Sequence, residues 1–379
     1  MKASAPRDRV DLVALNDQGS EERSRAMWII GCDFHPRYQQ VYGVNKKTGE
    51  VVERRLSHEG PEAKTFYREL PAGAVVGMEA TGAARWFERL MEECGHHLWI
   101  GDAARIRAST VRKQKTDTRD ARQIYRLLEL GEFPRIWVPT PAERDVRQLL
   151  LHRHKLVQWR TQLQNQLRAL ARSEGFLSRQ SLWSGHGRQE LESLALGPWA
   201  SERRQDLLRL LDPLEQRIAI LSAQIESEAS KRPEVLALLE QPGVGLLTGL
   251  AFVLTLGPVH RFHRSRSVVS YLGLNPGESS SGERQRLGHI SKQGNRMMRW
   301  LLVQAAWIAA RKDPELARVF KRLAFRRGGK IAVVAVARKL AVKLYWRLRT
   351  AASNTVQPPA PMQGSSRKVM VNATGSPSF

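Results

Sequence analysis

The sequence predicts an α/β domain with a mixed sheet, joined through a long helical arm to a mainly helical C-terminal domain. Three observations carry this. Residues 27–56 alternate apolar strand runs with the turn signals "HPR" and "KKTGE". Two stretches, 137–175 and 201–231, keep helical spacing far beyond the length of an ordinary helix. A chain of 379 residues with 42% apolar content has enough core for two or three domains.

Taken in order, residues 1–26 show little apolar periodicity and are expected to form a mobile leader. From residue 27, "MWIIGCDFHPRYQQVYGVNKKTGEVVERRL" reads as strand, turn, strand, turn, strand. A helix is expected near 61–70, a buried strand in "GAVVGMEATG" (73–82), an amphipathic helix at 83–94, a short strand at 96–101 and a helix at about 117–130. Strands first in a meander and then alternating with helices predict a mixed sheet over 27–136. "TPAE" at 140–143 places a proline at an early helical position and opens the first long helix. Two helices of such length predict an antiparallel coiled-coil arm over 137–235, with an inserted loop at about 175–200. At 236–257, "LALLEQPGVGLLTGLAFVLTLG" reads as helix, hairpin, helix within a C-terminal domain spanning 236–350. Gly243 and Gly245 there would let backbone N–H groups approach a phosphate, or would simply serve an ordinary helix–helix turn. Residues 351–379, rich in Pro, Ser, Gly, Asn and Thr, are expected to be a disordered tail.

The charge narrows the partners. With 61 Lys and Arg against 37 Asp and Glu, the net charge of +24 favours a polyanion, either nucleic acid or an anionic membrane surface. The most apolar run, 331–346, is interrupted by Arg338, Lys339 and Lys343 and is too short to span a bilayer, so no membrane partner is expected. No apolar signal region follows Met1, which predicts a cytoplasmic protein. Cys32 and Cys94 cannot make a disulfide framework or a cysteine-based zinc site, and both read as small core residues. No acid follows Glu315, whereas 13 Lys and Arg lie between Arg318 and Lys368, which reads as a phosphate-contacting surface.

Against this basic background, the acids of the first domain stand out. Asp33 ends the apolar strand "WIIGCD" and Glu79 ends "AVVGME", so both would be displayed at a sheet edge. Asp117 and Asp120, in "KTDTRDAR", are three residues apart and share a face if residue 117 opens a helix. Acids in a first turn also suit the helix macrodipole, and any one of these residues has an ordinary structural explanation. Four carboxylates meeting in a nucleic-acid protein would repel one another without a cation and are hard oxygen ligands for Mg²⁺. A second constellation is "NPGESSSGERQRLGHISKQGNRMMR" (275–299), with three serines before Gly282 and Arg284, Arg286, Lys292, Arg296 and Arg299 around them. It has the residue types for a serine attacking phosphorus, and equally those of a phosphate-binding loop with no chemistry. The histidines His152, His154, His96 and His97 read as structural or surface residues.

These pieces together resemble the DEDD-type insertion-sequence transposases of the IS-one-ten family, also described as bridge-RNA-guided serine recombinases. The resemblance covers roughly residues 28–350 and is carried by "IGCDFH", "GMEATG", "KTDTRDAR", "QPGVG", "YLGLNP" and "SSSGERQRLGHISKQGNRMMR" in that order. It implies a RuvC/RNase-H-like N-terminal domain in which Asp33, Glu79, Asp117 and Asp120 bind Mg²⁺ or Mn²⁺. It implies a C-terminal transposase domain in which Ser281, directly before the glycine, attacks DNA and forms a phosphoserine intermediate; Ser279 and Ser280 lie beside it. Donor DNA, target DNA and a structured bridge RNA are the implied partners of a dimer or tetramer that shares a composite site, in a bacterial, nucleoid-associated setting. Arg105, Arg107, Arg112, Lys113, Lys115, Arg119 and Arg122 are expected to grip nucleic acid in the N-terminal half, alongside the basic residues of the serine segment. The loop at 175–200 and the tail after 350 depart from the family pattern without touching its motifs. Two rival functions stay open at this level: a metal-dependent resolvase-type nuclease using water, and a catalytically inactive nucleic-acid binder.

Overall fold

The computed structural model describes residues 20–82, 84–109, 117–176, 182–278 and 287–356. The first described element is a helical turn, α1 (20–25), and it is not part of a free leader. Arg23 donates to the carbonyls of Leu128 and Glu129, and Glu22 accepts from the indole of Trp99 at 2.9 Å. These contacts dock α1 on the first domain, so residues 20–26 are not part of the leader expected over 1–26, whose other residues lie outside the described ones.

The meander follows as β1 (Trp28–Phe34), β2 (Tyr38–Asn45) and β3 (Val51–Ser57). Helix α2 (Glu62–Glu69) leads to β4 (Val75–Glu79), and α3 (Arg85–Glu93) leads to β5 (His97–Gly101). The sheet order is β3-β2-β1-β4-β5, with β1–β3 antiparallel and β4 and β5 parallel to β1. Period-2 alternation divides its two faces. Trp28, Ile30 and Cys32 of β1 pack with Val76, Met78, Tyr67 and Phe87 in one core layer. Ile29 and Val75 face the opposite way, onto Ile124 and Leu128. Those two residues belong to α5 (Asp117–Leu130), which follows the short helix α4 (Ala103–Ala108). The buried Cys32 thiol is pushed well above its ordinary pKa, chiefly by burial, as befits a core residue.

The arm is α6 (Pro141–Ser173) and α8 (Pro198–Ser230), with α7 (Gly185–Ser193) inside the segment expected to be a loop. Thr140 and Glu143 form a reciprocal capping box around Pro141, so "TPAE" starts α6 as its chemistry dictates. The pair runs antiparallel. Leu167 meets Leu207 and Leu211 at one end, Leu156 meets Ile218 in the middle, and Leu150 shares a core with Ile225 and Ala229 at the other.

That last cluster continues into the C-terminal core. Its helices are α9 (Pro233–Leu239), α10 (Leu246–Leu256), α11 (Ser265–Tyr271), α12 (Arg296–Lys312), α13 (Pro314–Arg327) and α14 (Gly329–Val356), with a small ribbon of β6 (Pro276–Glu278) and β7 (Leu287–Ile290) before α12. Helix α14 runs on to Val356, past the expected start of the tail. Among the described residues no helix is long and apolar enough to cross a membrane.

Candidate functional site

The site begins with the alternation of β1. Odd positions face α5, so Asp33 at the strand's end points to the same side as Ile29 and Gly31. A β-carbon on Gly31 would lie 2.2 Å from the carbonyl oxygen of Ala121 and 2.4 Å from the amide nitrogen of Tyr125. Gly77, the β4 partner of Gly31, faces Leu128 with similar tightness. Two adjacent glycines therefore let α5 lie directly on the sheet, which brings its first turn over the tip of β1. The register that pairs Cys32 with Met78 puts Glu79 beside Asp33 on the neighbouring parallel strand.

The carboxylates of Asp33 and Asp117 converge there. His35 Nε2 lies 3.1 Å from Asp33 Oδ2 and 3.7 Å from Asp117 Oδ1, and one ligand atom from each of the three residues falls within 4.8 Å of the others. The Tyr38 hydroxyl donates to Asp117 Oδ2 at 2.8 Å, while its ring stacks on His35 and carries the Arg55 guanidinium 3.8 Å from its centroid. Burial pushes the Asp33 carboxyl above its ordinary pKa; His35 opposes this, and Asp120 and Asp117 add to it. Asp120 is therefore electrostatically part of the cluster, although the three-residue ligand group does not include it. Glu79, also outside that group, is 3.6 Å from the Arg107 guanidinium.

This donor set fits a hard divalent cation: two carboxylates and an imidazole converge, with a further acid close enough to raise the Asp33 pKa. Sequence reasoning missed His35 and Tyr38. The signal for His35 was its place two residues after Asp33, on the same face as the strand leaves the sheet.

The expected cationic surface is only partly described. Arg105 and Arg107 are exposed on α4, and Arg119 and Arg122 are exposed on the first turns of α5. Arg122 is occupied by an ion pair with Glu53. Arg112, Lys113 and Lys115 lie outside the described residues, as do Ser279, Ser280, Ser281, Arg284 and Arg286.

What is described is the base of the serine segment. β6 and β7 pair antiparallel on either side of it, Glu278 opposite Leu287. "YLGLNP" and "SKQGNR" are pressed together by two glycines in the left-handed region, Gly273 at φ 69° and Gly294 at φ 84°. A β-carbon at Gly294 would sit 2.1 Å from the Tyr271 carbonyl oxygen. Arg299 donates to the carbonyls of Leu272 and Gln293, so its guanidinium binds loop to loop. Asn295 caps α12 by accepting from Met298 N–H, and Lys292 and Arg296 are exposed beside it. Gly243, at φ 90°, makes its close approach to Ala305 of α12, which accounts for that glycine by helix packing; Gly245 is exposed at the N-cap of α10.

Two family models match this chain. Residues 30–173 match the DEDD transposase of IS110 type, a span containing the β1–α5 carboxylates, and residues 236–321 match the transposase family IS116/IS110/IS902. A "probable family 20 transposase" of Pseudomonas aeruginosa is 30% identical over 333 residues, covering 84% of this chain and 96% of the relative. The transposase for insertion sequence element IS1111A of Coxiella burnetii is 29% identical over 330 residues, covering 85% and 89%. The transposase for insertion sequence element IS1328 of Yersinia enterocolitica is 27% identical over 336 residues, covering 85% and 96%. The motifs, the two matched segments in their order along the chain, and relatives aligned over most of both lengths lead to one conclusion: this chain belongs to the IS116/IS110/IS902 family of insertion-sequence transposases.

Proposed function

We propose that this chain cuts and rejoins DNA through a metal-dependent carboxylate cluster in a RuvC/RNase-H-like domain and a serine nucleophile in its C-terminal domain. The observation that supports it most is the convergence of Asp33, His35 and Asp117 where α5 crosses the end of β1. The sheet order β3-β2-β1-β4-β5, with the acids of β1 and β4 side by side at their strand ends, supports the RuvC-like reading. Asp33, Asp117 and His35 would hold Mg²⁺ or Mn²⁺, with Asp120 and Glu79 completing the set. A divalent ion there supplies positive charge against the charge that develops on a phosphodiester under attack.

The chain's own residues do the rest. Tyr38 holds Asp117 by donating to one oxygen, which leaves the other directed at the cluster. Arg105, Arg107 and Arg119 position the backbone, since phosphate contacts fix register and base contacts specify sequence. Ser281 forms a bond to phosphorus while the bond from phosphorus to one deoxyribose oxygen breaks, and that oxygen leaves as a hydroxyl carrying the proton lost by the serine. Base reading is left to pairing with a structured RNA. The acting species is a homo-oligomer on donor and target DNA.

The test is a denaturing gel of full-length protein with element-end DNA, the cognate RNA and Mg²⁺. Wild type should give a protein–DNA adduct, and Ser281→Ala and Asp117→Asn should each abolish it. DNA cutting by Ser281→Ala with no adduct from wild type would make water the nucleophile instead; adduct formation transferred to Ser279 or Ser280 would shift the motif by one or two residues.

A further inference from the structure

Glu315 is the last acidic residue of the chain, and 11 Lys and Arg follow it between Arg318 and Arg349. Four of them, Arg322, Arg338, Lys339 and Lys343, line one groove with Arg266 of α11. The groove lies between α11, α13 and α14, has a volume of about 500 Å³, and is floored by apolar side chains that include Val269 and Leu323. A quartet of these, Arg266, Arg322, Arg338 and Lys339, is exposed, and none of the four has a carboxylate within ion-pair distance among the described residues. The acid in the groove wall, Glu315, is held by Lys343 Nζ at 2.8 Å, and Lys343 also holds Asp313 at 2.9 Å. The ion pairs of the wall's acid thus go to a residue outside the quartet; of the four, only Lys339 adds to the field at Glu315, and none is ion-paired to it.

Like charges are not gathered around a concavity without a cost, and a polyanion relieves it by contacting several of them along its length. The apolar floor offers contact to sugar faces between phosphates. A planar lipid surface meets convex faces and would not enter a groove of this size. Residues 357–379, with no Asp or Glu, and residues 1–19, with three acids against three bases, lack the net negative charge of a polyanion.

We propose that the α11–α13–α14 groove binds the phosphodiester backbone of a nucleic acid, as a site of the C-terminal domain in addition to the β1–α5 cluster. This rests on the reading that the chain acts on nucleic acid. DNA and RNA share the chemistry, and the experiment separates them.

The measurement is fluorescence anisotropy of full-length protein with a duplex DNA, a single-stranded DNA and a hairpin RNA, each across a series of salt concentrations. For Arg322→Gln/Arg338→Gln, the slope of log affinity against log salt should become shallower by about 2, with at least tenfold weaker binding, for whichever probe occupies the groove. Arg322→Lys/Arg338→Lys should keep the wild-type slope, as should Arg203→Gln/Arg209→Gln on the arm, which removes the same charge elsewhere. Loss on any one probe supports the site and identifies its occupant. An unchanged slope on every probe, or an equal loss in the arm variant, overturns the groove while leaving the proposed function intact. Failure of wild type to bind any probe overturns both.

Discussion

The Tyr38 hydroxyl donates a 2.8 Å hydrogen bond to Asp117 Oδ2, tying the start of β2 to the first turn of α5. The pKa of the phenol is raised, with the hydrogen bond to Asp117 the largest cause. Its role is to fix the orientation of a carboxylate that faces His35 on its other oxygen.

Tyr38→Phe keeps the ring that carries Arg55 and stacks on His35, and removes only the donor. Loss of an outer partner of this kind should weaken divalent-metal affinity by roughly 10–100-fold with the fold intact. Isothermal calorimetry with Mn²⁺ checks this, and an affinity equal to wild type would remove Tyr38 from the site.

Gly31→Ala tests what brings the acids together. The new β-carbon would meet backbone atoms of α5 at 2.2 and 2.4 Å, which cannot yield as a side-chain tip can. We expect about 3 kcal/mol of lost stability, with loss of metal binding although Gly31 offers no ligand. Gly43→Ala, where the tightest neighbour is a side-chain atom, Ile30 Cγ1 at 2.9 Å, and the nearest backbone atom lies at 3.3 Å, should cost less, about 1 kcal/mol, and leave metal binding unchanged. Urea unfolding of the two variants gives the comparison, and equal costs would contradict it.

Much of this site is legible in the sequence. Asp117 does open α5, because acids in a first turn suit the macrodipole and the apolar positions that follow, Ile124, Leu127 and Leu128, share a buried face. Strand ends at Asp33 and Glu79 follow from apolar runs that stop at an acid. His35 and Tyr38 are not legible in the same way, since their part depends on the turn between β1 and β2 folding back towards α5. Gly31 looks like any strand glycine until the helix that crosses it is known. The docking of α1 escapes periodicity because it depends on polar contacts of Glu22 and Arg23. For the same reason α7 escapes it: the helix is short, and Ser184 starts it by capping Gly187 N–H.

The C-terminal domain has its own polar keystone. Asp313 caps α13 through Oδ1, accepting from Glu315 and Leu316 N–H, and accepts from Gln241 and Lys343 through Oδ2. Burial pushes its carboxyl up, but the hydrogen bonds from Lys343, Gln241 and Leu316 outweigh this and hold it at about 2. Because the folded value lies below the unfolded one, the stabilisation is full above about pH 4 and is lost as pH falls towards 2. We expect about 2 kcal/mol to be lost over that interval, and Asp313→Asn to flatten this part of the acid-stability curve. Thermal melts between pH 5 and pH 2 measure both, and an unchanged acid profile in the variant would contradict the assignment.

The central claim is that the β1–α5 cluster holds a divalent ion. Electron paramagnetic resonance of Mn²⁺ with the full-length chain tests it most directly, because it reads bound metal without requiring DNA, RNA or turnover. Wild type should show saturable Mn²⁺ binding, and Asp33→Asn/Asp117→Asn should lose it while circular dichroism remains that of the folded protein. Bound Mn²⁺ that persists undiminished in the folded double variant, or no binding by wild type, would contradict the claim.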